Sequence, residues 1–353
     1  MMLDERGRIE RYIEAVPKVE LHVHLEGSIQ PATLLKLAQQ NNVKLPAQTV
    51  GDLQNWFTFH DFDHFIEIYF AISSCLKTSD DYELIAYEFG AQMSRQNVRY
   101  AEVTFSPSTH QFSLGIPFDV FFSGLTKGRL RAQNDFGIQI RWVFDIVRDI
   151  PELSLNQRRA EYTLAVAEEG MHDSVVALGL GGGEVGNPPE RYAKWFEKAL
   201  ESGLHSAPHA GETVGPESVW GAIRALHAER LGHGVRSIED SVLIDYLAER
   251  RIPLEICPTS NIRLGVFPEL AAHPIRSLYE AWVPVTINSD DPPLFNTTLS
   301  DEAKLLLVPF NFDINTINEI LLNGVRYSFL PVEERQTLET MFRTEMTRLQ
   351  QEL

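Results

Sequence analysis

Short apolar segments recur along the chain and alternate with longer amphipathic stretches. Apolar runs of strand length separated by helical patterns are typical of parallel strands joined by helical crossovers. Eight such segments in 353 residues favour a closed (β/α)8 TIM barrel of the α/β class, with an open doubly wound sheet as the alternative. The segments are residues 18–25, 98–105, 138–147, 174–182, 205–211, 230–235, 252–258 and 283–290.

The intervals between the segments differ greatly in length. The first interval, about residues 27–97, is much the longest and holds several helical patterns. We therefore expect a helical insertion after strand 1 that lies over the mouth of the barrel as a lid. Residues 298–353 also have helical patterns and predict extra C-terminal helices. We expect residues 1–353 to form a single domain, because no low-complexity linker divides them.

Composition and charge argue against several classes of partner. The formal net charge of −18 disfavours nucleic acid and phospholipid surfaces. No window approaches the roughly 20 apolar residues of a membrane span, and the first residues lack the apolar core of a signal peptide. The two cysteines, Cys75 and Cys257, suggest no disulfide framework. We expect a cytoplasmic protein that binds a small molecule; the sequence leaves its oligomeric state open.

Ionisable residues lie at the carboxyl ends of several predicted strands. His22 and His24 end strand 1, His209 ends strand 5, His233 ends strand 6 and Asp290 ends strand 8. Barrel enzymes build their active sites at this face. A His-x-His pair, completed by a histidine and an aspartate from other strands, is typical of a catalytic zinc site that keeps a position for water. The sequence therefore predicts a metal centre.

One zinc ion per chain is expected, because strand 4 has no lysine that could bridge two metals after carboxylation. Zinc lowers the pKa of its water, but the water needs a base and the substrate an acid. Glu212 and His233 are the nearest unassigned ionisable groups. In "HAGE", Ala210 and Gly211 allow a sharp turn that returns Glu212 towards the metal. The lone Cys257 argues against the cysteine-based zinc deaminases that edit nucleic acids.

A glycine-rich segment, "LGLGGGE", ends predicted strand 4 at residues 178–184. It fails the G-x-G-x-x-G dinucleotide pattern, because Glu184 stands at the position of the last glycine. Two roles remain open from the residues alone. The backbone could approach a flat ligand closely, or the segment could be an ordinary turn between a strand and a helix.

Five motifs together resemble the adenosine deaminase family. They are "PKVELHVHLEGS", "HAGE", "GHGVR", "CPTSN" and "NSDDP", in this order over residues 17–292. The resemblance implies zinc-dependent hydrolytic deamination of a 6-aminopurine, with ammonia as a product. It implies zinc ligands at His22, His24, His209 and Asp290.

The resemblance also implies the roles of the remaining site residues. Glu212 would protonate ring nitrogen 1 of the purine, while His233 and Asp290 would orient and deprotonate the attacking water. The implied substrate contacts are Asp291 with ring nitrogen 7, the backbone N–H of Gly182 with ring nitrogen 3, and Glu26 with the sugar or its replacement.

The expected substrate is adenosine or 2′-deoxyadenosine. Glu26 stands where many adenosine deaminases have aspartate, so a 5′-modified adenosine such as 6-aminodeoxyfutalosine is an alternative, as is free adenine. A 5′-phosphate is disfavoured, since no cluster of arginine or lysine accompanies the motifs. More distant alternatives are another metal-dependent amidohydrolase and a non-catalytic barrel that binds purine or stores metal.

Overall fold

Eight parallel strands form the centre of the molecule and follow one another in chain order. The structure, a computed structural model, describes residues 5–59, 62–148 and 150–353, without the side chains of residues 5, 62 and 63. The strands are β1 Lys18–His24, β2 Val98–Phe105, β3 Gln139–Val147, β4 Val175–Gly181, β5 His205–Ala210, β6 Leu231–His233, β7 Leu254–Ile256 and β8 Val285–Ile287.

The first and last strands meet and complete the barrel. Val23 and Asp290 form a parallel bridge, in which His24 N donates to Asp290 O at 2.9 Å and Asp290 N donates to His22 O at 3.0 Å. Two residues earlier on β1, Leu21 N donates to the side-chain Oδ1 of Asn288 at 3.0 Å. A side chain therefore takes the place of a backbone hydrogen bond between β1 and β8 at this point. The predicted (β/α)8 barrel is confirmed.

The last three strands are shorter than their sequence segments. Strands β6, β7 and β8 have three residues each, whereas the predicted segments span six to eight positions. The backbone leaves the extended conformation early, with φ of 58° at His233 and 63° at Asp290. An apolar run indicates which residues are buried. It does not indicate at which residue φ becomes positive and the strand ends.

Sixteen α-helices are present in the described part of the chain. Helices α2–α5 form the predicted insertion after β1, and α14–α16 form the predicted C-terminal helices. Their bounds are α1 Glu5–Ala15, α2 Pro31–Gln40, α3 Val50–Trp56, α4 Phe62–Ser73, α5 Ser79–Arg95, α6 Phe118–Phe136, α7 Leu153–Gly170, α8 Ala193–Ser202, α9 Pro216–Ala225, α10 Ser241–Arg250, α11 Pro258–Arg263, α12 Ile275–Glu280, α13 Pro292–Phe295, α14 Leu299–Leu307, α15 Ile314–Arg326 and α16 Val332–Gln350.

One large hydrophobic cluster connects the insertion and the C-terminal helices with the barrel. It reaches from Tyr12 to Met346 and includes Leu34 of α2 and Ile68 of α4. This continuity is what a single domain requires, although the division into domains stays a prediction. Within the described residues, no helix combines the length and the apolar character needed to cross a membrane.

Candidate active site

Four predicted metal ligands converge at the carboxyl ends of the strands. His22, His24 and His209 each have one ring nitrogen that lies within 4.8 Å of the ring nitrogens offered by the other two residues. His24 Nε2 lies 3.3 Å from His209 Nε2 and 3.3 Å from Asp290 Oδ1. His22 Nε2 lies 3.5 Å from Asp290 Oδ1. The barrel thus places three imidazoles and one carboxylate around a common point.

The chemistry of this cluster fits a zinc ion. Among the described atoms, His22 Nε2 is enclosed by protein and makes no hydrogen bond, and the same holds for His209 Nδ1. A buried polar atom is costly unless it finds a partner. Imidazole nitrogens and one carboxylate oxygen are ligands that catalytic zinc accepts.

Glu255 on β7 fixes the orientation of His22. Its Oε2 lies 2.9 Å from His22 Nδ1, and its Oε1 accepts from Arg230 Nε at 2.6 Å. Arg230 also pairs with Glu102, so one buried guanidinium serves two buried carboxylates. A proton on Nδ1 that points at this carboxylate leaves the Nε2 lone pair directed at the cluster.

The carboxyl end of β6 brings His233 beside the cluster. Its Nε2 lies 3.6 Å from Glu212 Oε1 and 3.8 Å from Asp290 Oδ2, and the side-chain amide of Asn261 lies 3.2 Å from its Nδ1. A Cβ at the preceding Gly232 would lie 2.7 Å from a ring carbon of His22, so glycine is required there. Burial lowers the pKa of His233 to about 3, which keeps the imidazole uncharged at neutral pH.

Glu212 faces the same space from the turn after β5. Its Oε1 is buried and has no hydrogen-bond partner among the described atoms. Burial, and next the nearby Asp290, raise the pKa of Glu212 to about 8. The carboxyl group therefore carries its proton at neutral pH and can donate it.

Glu184 holds the turn that carries Glu212. Its Oε1 accepts from Gly211 N at 2.7 Å, and its Oε2 accepts from Thr213 N and Val214 N at 2.8 Å each. Glu212 N and the hydroxyl of Ser218 donate to the same carboxylate. One side chain thus satisfies a run of successive backbone donors. The glutamate that broke the dinucleotide pattern organises the "HAGE" turn.

Asp291 lies next to Asp290 and lines the cavity described below. Its Oδ1 is enclosed and unpartnered among the described atoms. Burial, and next the charge of Asp290, raise the pKa of Asp291 well above its usual range, which favours the protonated form of its carboxyl group. A Cβ at Gly27 would lie 1.6 Å from Oδ1, so the bare glycine makes room for this side chain.

Glu26 lies behind the cavity wall, in a short 3-10 turn, Glu26–Ser28, that follows β1. Its Oε1 accepts from Ser106 N at 3.1 Å and lies 3.1 Å from His110 Nε2, while its Oε2 accepts from Tyr69 OH at 3.1 Å. Tyr69 and Ser106 line the cavity, whereas Glu26 is fully buried and does not. The expected direct contact of Glu26 with a sugar therefore differs from this placement, in which the carboxylate orients two wall residues.

A cavity of about 320 Å³ opens beside the cluster, and we call it the catalytic cavity. The backbone of Gly182, where φ is 84°, also lines it. Its lining is mixed rather than apolar. The ionisable residues of the predicted site that line it are His24, His209, Glu212, His233, Asp290 and Asp291; the apolar residues are Phe65, Ile66, Phe70, Val147, Ile150 and Leu264; the remaining polar or charged residues are Tyr69, Ser106, Thr109, Ser113, Asp145 and Arg159.

A larger cavity of about 840 Å³ lies elsewhere, bordered by α13. Phe295 lines it, and Phe295 stacks on Phe65, which lines the catalytic cavity, with ring centroids 5.7 Å apart. None of the predicted site residues lines the larger cavity. The larger volume therefore does not mark the candidate active site. The convergence of ionisable side chains identifies the catalytic cavity as that site.

Sequence reasoning missed several residues that shape the site: Asp145, Glu184, Glu255, Asn261 and Tyr69. Asp145 and Glu255 are carboxylates inside apolar strand segments, "FDIV" and "LEIC". A charge in a strand that is buried on both faces must have a partner, so both positions carried a usable signal. Asn261 ends the "CPTSN" motif, to which no role was assigned, and Tyr69 carried no signal because it comes from a helix whose docking only the tertiary structure shows.

A family model described as adenosine deaminase matches residues 17–344. The chain belongs to the adenosine deaminase family. Its members are hydrolytic deaminases that act on C–N bonds, and this protein is therefore an enzyme of that type. Such amidohydrolase-type deaminases depend on a metal.

Family members with assigned names support this membership. The chain is 41% identical over 325 residues to an aminodeoxyfutalosine deaminase of Streptomyces coelicolor, covering 91% of this chain and 82% of the relative. It is 36% identical over 321 residues to an adenine deaminase of Cupriavidus metallidurans, covering 90% and 88%.

Solved structures of the family superpose on the whole barrel. An adenine deaminase from Arthrobacter aurescens matches with a TM-score of 0.86 and 29% identity, over 95% of this chain and 99% of that one. An amidohydrolase from Burkholderia ambifaria with bound zinc matches with a TM-score of 0.90 and 25% identity, over 99% and 95%.

Proposed function

We propose that this deaminase hydrolyses the 6-amino group of a 5′-modified adenosine of the 6-aminodeoxyfutalosine type, with one zinc ion per chain. The observation that carries the proposal is the convergence of His22, His24, His209 and Asp290 beside a protonated Glu212. The similarity to an aminodeoxyfutalosine deaminase over 91% of the chain supports this substrate over adenosine, which the sequence alone had favoured.

The shape of the catalytic cavity supports a substrate larger than a purine base. Its volume of about 320 Å³ lies at the lower end of the roughly 300–1,000 Å³ range of ligand sites that enclose drug-sized molecules. Its lining includes the apolar Ile66, Phe70 and Leu264, which suit an apolar part of a 5′ substituent, and also Arg159, whose Nη2 donates to Ser113 Oγ at 3.0 Å.

In the proposed reaction the four metal ligands hold zinc, which would supply a Lewis acid that lowers the pKa of a water molecule. His233 is uncharged, and its Nε2 faces Asp290, so these two side chains orient the water and receive its proton. Glu212 donates its proton to ring nitrogen 1 as carbon 6 is attacked. This protonation prevents the accumulation of negative charge on the ring. The proton received by His233 and Asp290 then passes to the amino group, the bond between carbon 6 and this nitrogen breaks as ammonia leaves, and the proton of the new hydroxyl returns to Glu212 as the carbonyl forms.

The remaining predicted contacts orient the purine. Ring nitrogen 7 is an acceptor, and the protonated carboxyl of Asp291 is a suitable donor for it. The backbone of Gly182 lies against the cavity without a side chain and can meet ring nitrogen 3. Glu26 would act through Tyr69 and Ser106 rather than by direct contact.

Free adenine is the second candidate substrate. It is favoured by relatives named adenine deaminase, of which one from Cupriavidus metallidurans is 36% identical. A free base would fill only part of the catalytic cavity of about 320 Å³. The proposal also includes a cytoplasmic location, which agrees with the two free, buried cysteines.

A substrate panel tests the proposal. Zinc-loaded enzyme is assayed for ammonia release with 6-aminodeoxyfutalosine, adenosine, 2′-deoxyadenosine and adenine, and zinc per chain is measured by elemental analysis. We expect the highest kcat/KM with the 5′-modified nucleoside and one zinc per chain. A higher kcat/KM with adenine would favour the second candidate, and no ammonia from any of the four would refute the deaminase proposal.

A further inference from the structure

One carboxylate of the catalytic cavity has no part in the chemistry described so far. Asp145 lies near the end of β3, and its side chain lines the cavity. It is not among the metal ligands, and it belongs to none of the five sequence motifs. The residue is only 3% exposed, so a carboxylate has been buried here at a cost that needs an explanation.

The two oxygens of Asp145 have different surroundings. Oδ1 accepts a hydrogen bond from Ser106 Oγ at 2.7 Å, and Ser106 N in turn donates to Glu26. Among the residues that the structure describes, none donates to Oδ2. A Cβ at Gly181 would lie 2.3 Å from Oδ2. This oxygen therefore occupies the space that a side chain at position 181 would fill. One oxygen is thus anchored and the other remains available to a ligand.

The position of Oδ2 relates it to a particular part of a purine nucleoside. Gly181 directly precedes Gly182, whose backbone is proposed to meet ring nitrogen 3. In a purine, nitrogen 3 is bonded to carbon 4, and carbon 4 is bonded to nitrogen 9, which carries the sugar. A group beside the partner of nitrogen 3 therefore faces the sugar rather than the reacting carbon 6.

We infer that Asp145 is a specificity-determining residue that accepts a hydrogen bond from a ribose hydroxyl of the substrate through Oδ2. This inference rests on the proposed function and deepens it, because it assigns a ribonucleoside rather than a free base to the site. A carboxylate oxygen is the group that proteins commonly use for ribose hydroxyls. Burial raises the pKa of Asp145 to about 6, so the group is mostly ionised at neutral pH and acts as an acceptor.

The test compares substrates within each enzyme variant. Wild type, Asp145→Ala, Asp145→Asn and the exposed-site control Asp245→Asn are assayed with adenosine, 2′-deoxyadenosine, 3′-deoxyadenosine and adenine. We expect wild type and the control to prefer adenosine to one of the deoxy analogues by about 100-fold in kcat/KM, as for loss of a hydrogen bond to a buried charged group. In Asp145→Ala this preference should fall to about threefold or less, with zinc content and activity on adenine retained.

Asp145→Asn keeps the size of the side chain and guards against misfolding of the alanine variant. Its amide can still accept one hydrogen bond, so an intermediate preference is expected. Equal kcat/KM values of wild type for adenosine and both deoxy analogues would overturn the inference while leaving the deaminase proposal intact. An unchanged preference in both Asp145 variants would also overturn it. Absence of ammonia release by wild type with every 6-aminopurine would refute the proposed function itself.

Discussion

The two halves of the barrel hold their site residues in different ways. Strands β1 to β5 have six to nine residues each, and β6 to β8 have three. In the described chain before β5, the non-glycine residues with positive φ are asparagines, Asn42 and Asn97. From the approach to β6 onwards they include His227, His233, Arg251, Trp282 and Asp290.

The difference shows how the chemistry is positioned. His22 and His24 lie on a seven-residue strand that pairs with β2 on both sides of an irregularity between Glu20 and Val23, and the alternation of the strand aims both rings. His233 and Asp290 lie just where the pairing stops, in a conformation that costs an ordinary residue about 1–2 kcal/mol. Beside the short strands, hydrogen bonds to buried carboxylates hold neighbouring groups in place where strand pairing does not. These carboxylates belong to Glu184, Glu255 and Glu302.

The largest effect is expected for Glu212→Gln, which removes the proposed proton donor but keeps its shape. We expect kcat to fall by about 10²–10⁴-fold with zinc content unchanged, because acid catalysis is lost while the metal ligands remain. Steady-state kinetics and elemental analysis measure the two effects. Glu217→Gln, an exposed site on α9, is the control. An unchanged kcat in Glu212→Gln would remove Glu212 from its role.

Glu255→Gln tests how the short-strand half supports a ligand of the long-strand half. The amide cannot accept from both His22 and Arg230 as the carboxylate does, so the orientation of His22 is weakened. We expect a loss of about 10–100-fold in zinc affinity, measured by competition with a chelator.

The matched control for Glu255→Gln is Glu229→Gln. Glu229 makes a similar contact, 3.0 Å from Nδ1 of His205, but His205 is half exposed and lies outside the site. The zinc affinity of the Glu229→Gln variant should equal that of wild type. Equal affinities in both variants would show that His22 needs no support from β7.

Glu184→Gln tests whether the "HAGE" turn depends on the hydrogen bonds that the Glu184 carboxylate accepts. The amide nitrogen cannot accept the backbone N–H groups that the carboxylate receives, so at least one donor loses its partner. We expect kcat to fall about tenfold and the free energy of unfolding to fall by about 1–3 kcal/mol. Kinetics and urea denaturation measure these changes. The exposed Glu190→Gln should behave like wild type, and an unchanged kcat in Glu184→Gln would contradict the proposed support.

The smallest effect on catalysis is expected for Glu302→Gln, which changes a side chain that supports the start of α11. Glu302 accepts from Thr259 N at 3.1 Å, and burial raises its pKa to about 7. The folded state then binds more protons than the unfolded state between pH 4.5 and 7. The free energy of unfolding therefore falls as pH rises through this window, by up to about 3 kcal/mol from this group.

Removal of the titrating group should remove that slope. Urea denaturation of wild type and Glu302→Gln at pH 5 and pH 8 measures the difference between the two curves. The exposed Glu249→Gln on α10 should keep the wild-type dependence. Parallel pH dependences in wild type and Glu302→Gln would show that Glu302 titrates normally.

The sequence predicted the barrel, its insertion and its C-terminal helices because burial leaves a periodic pattern in each segment. It also predicted which ionisable residues converge, since the carboxyl ends of parallel strands share one face. His22, His24, His209, Glu212, His233, Asp290 and Asp291 are all found there. The roles of these residues in catalysis remain predictions that the variants above test.

Only the tertiary structure decided which side chains line the catalytic cavity and which lie behind it. Glu26 shares the alternation of His22 and His24 in the sequence, but the chain leaves the strand after His24 and turns its carboxylate into the protein. Asp145 was hidden in an apolar strand, and it became a candidate because Gly181, a neighbour across the sheet, lacks a side chain. Local periodicity records whether a residue is buried, whereas contacts between distant segments decide what a buried charge faces.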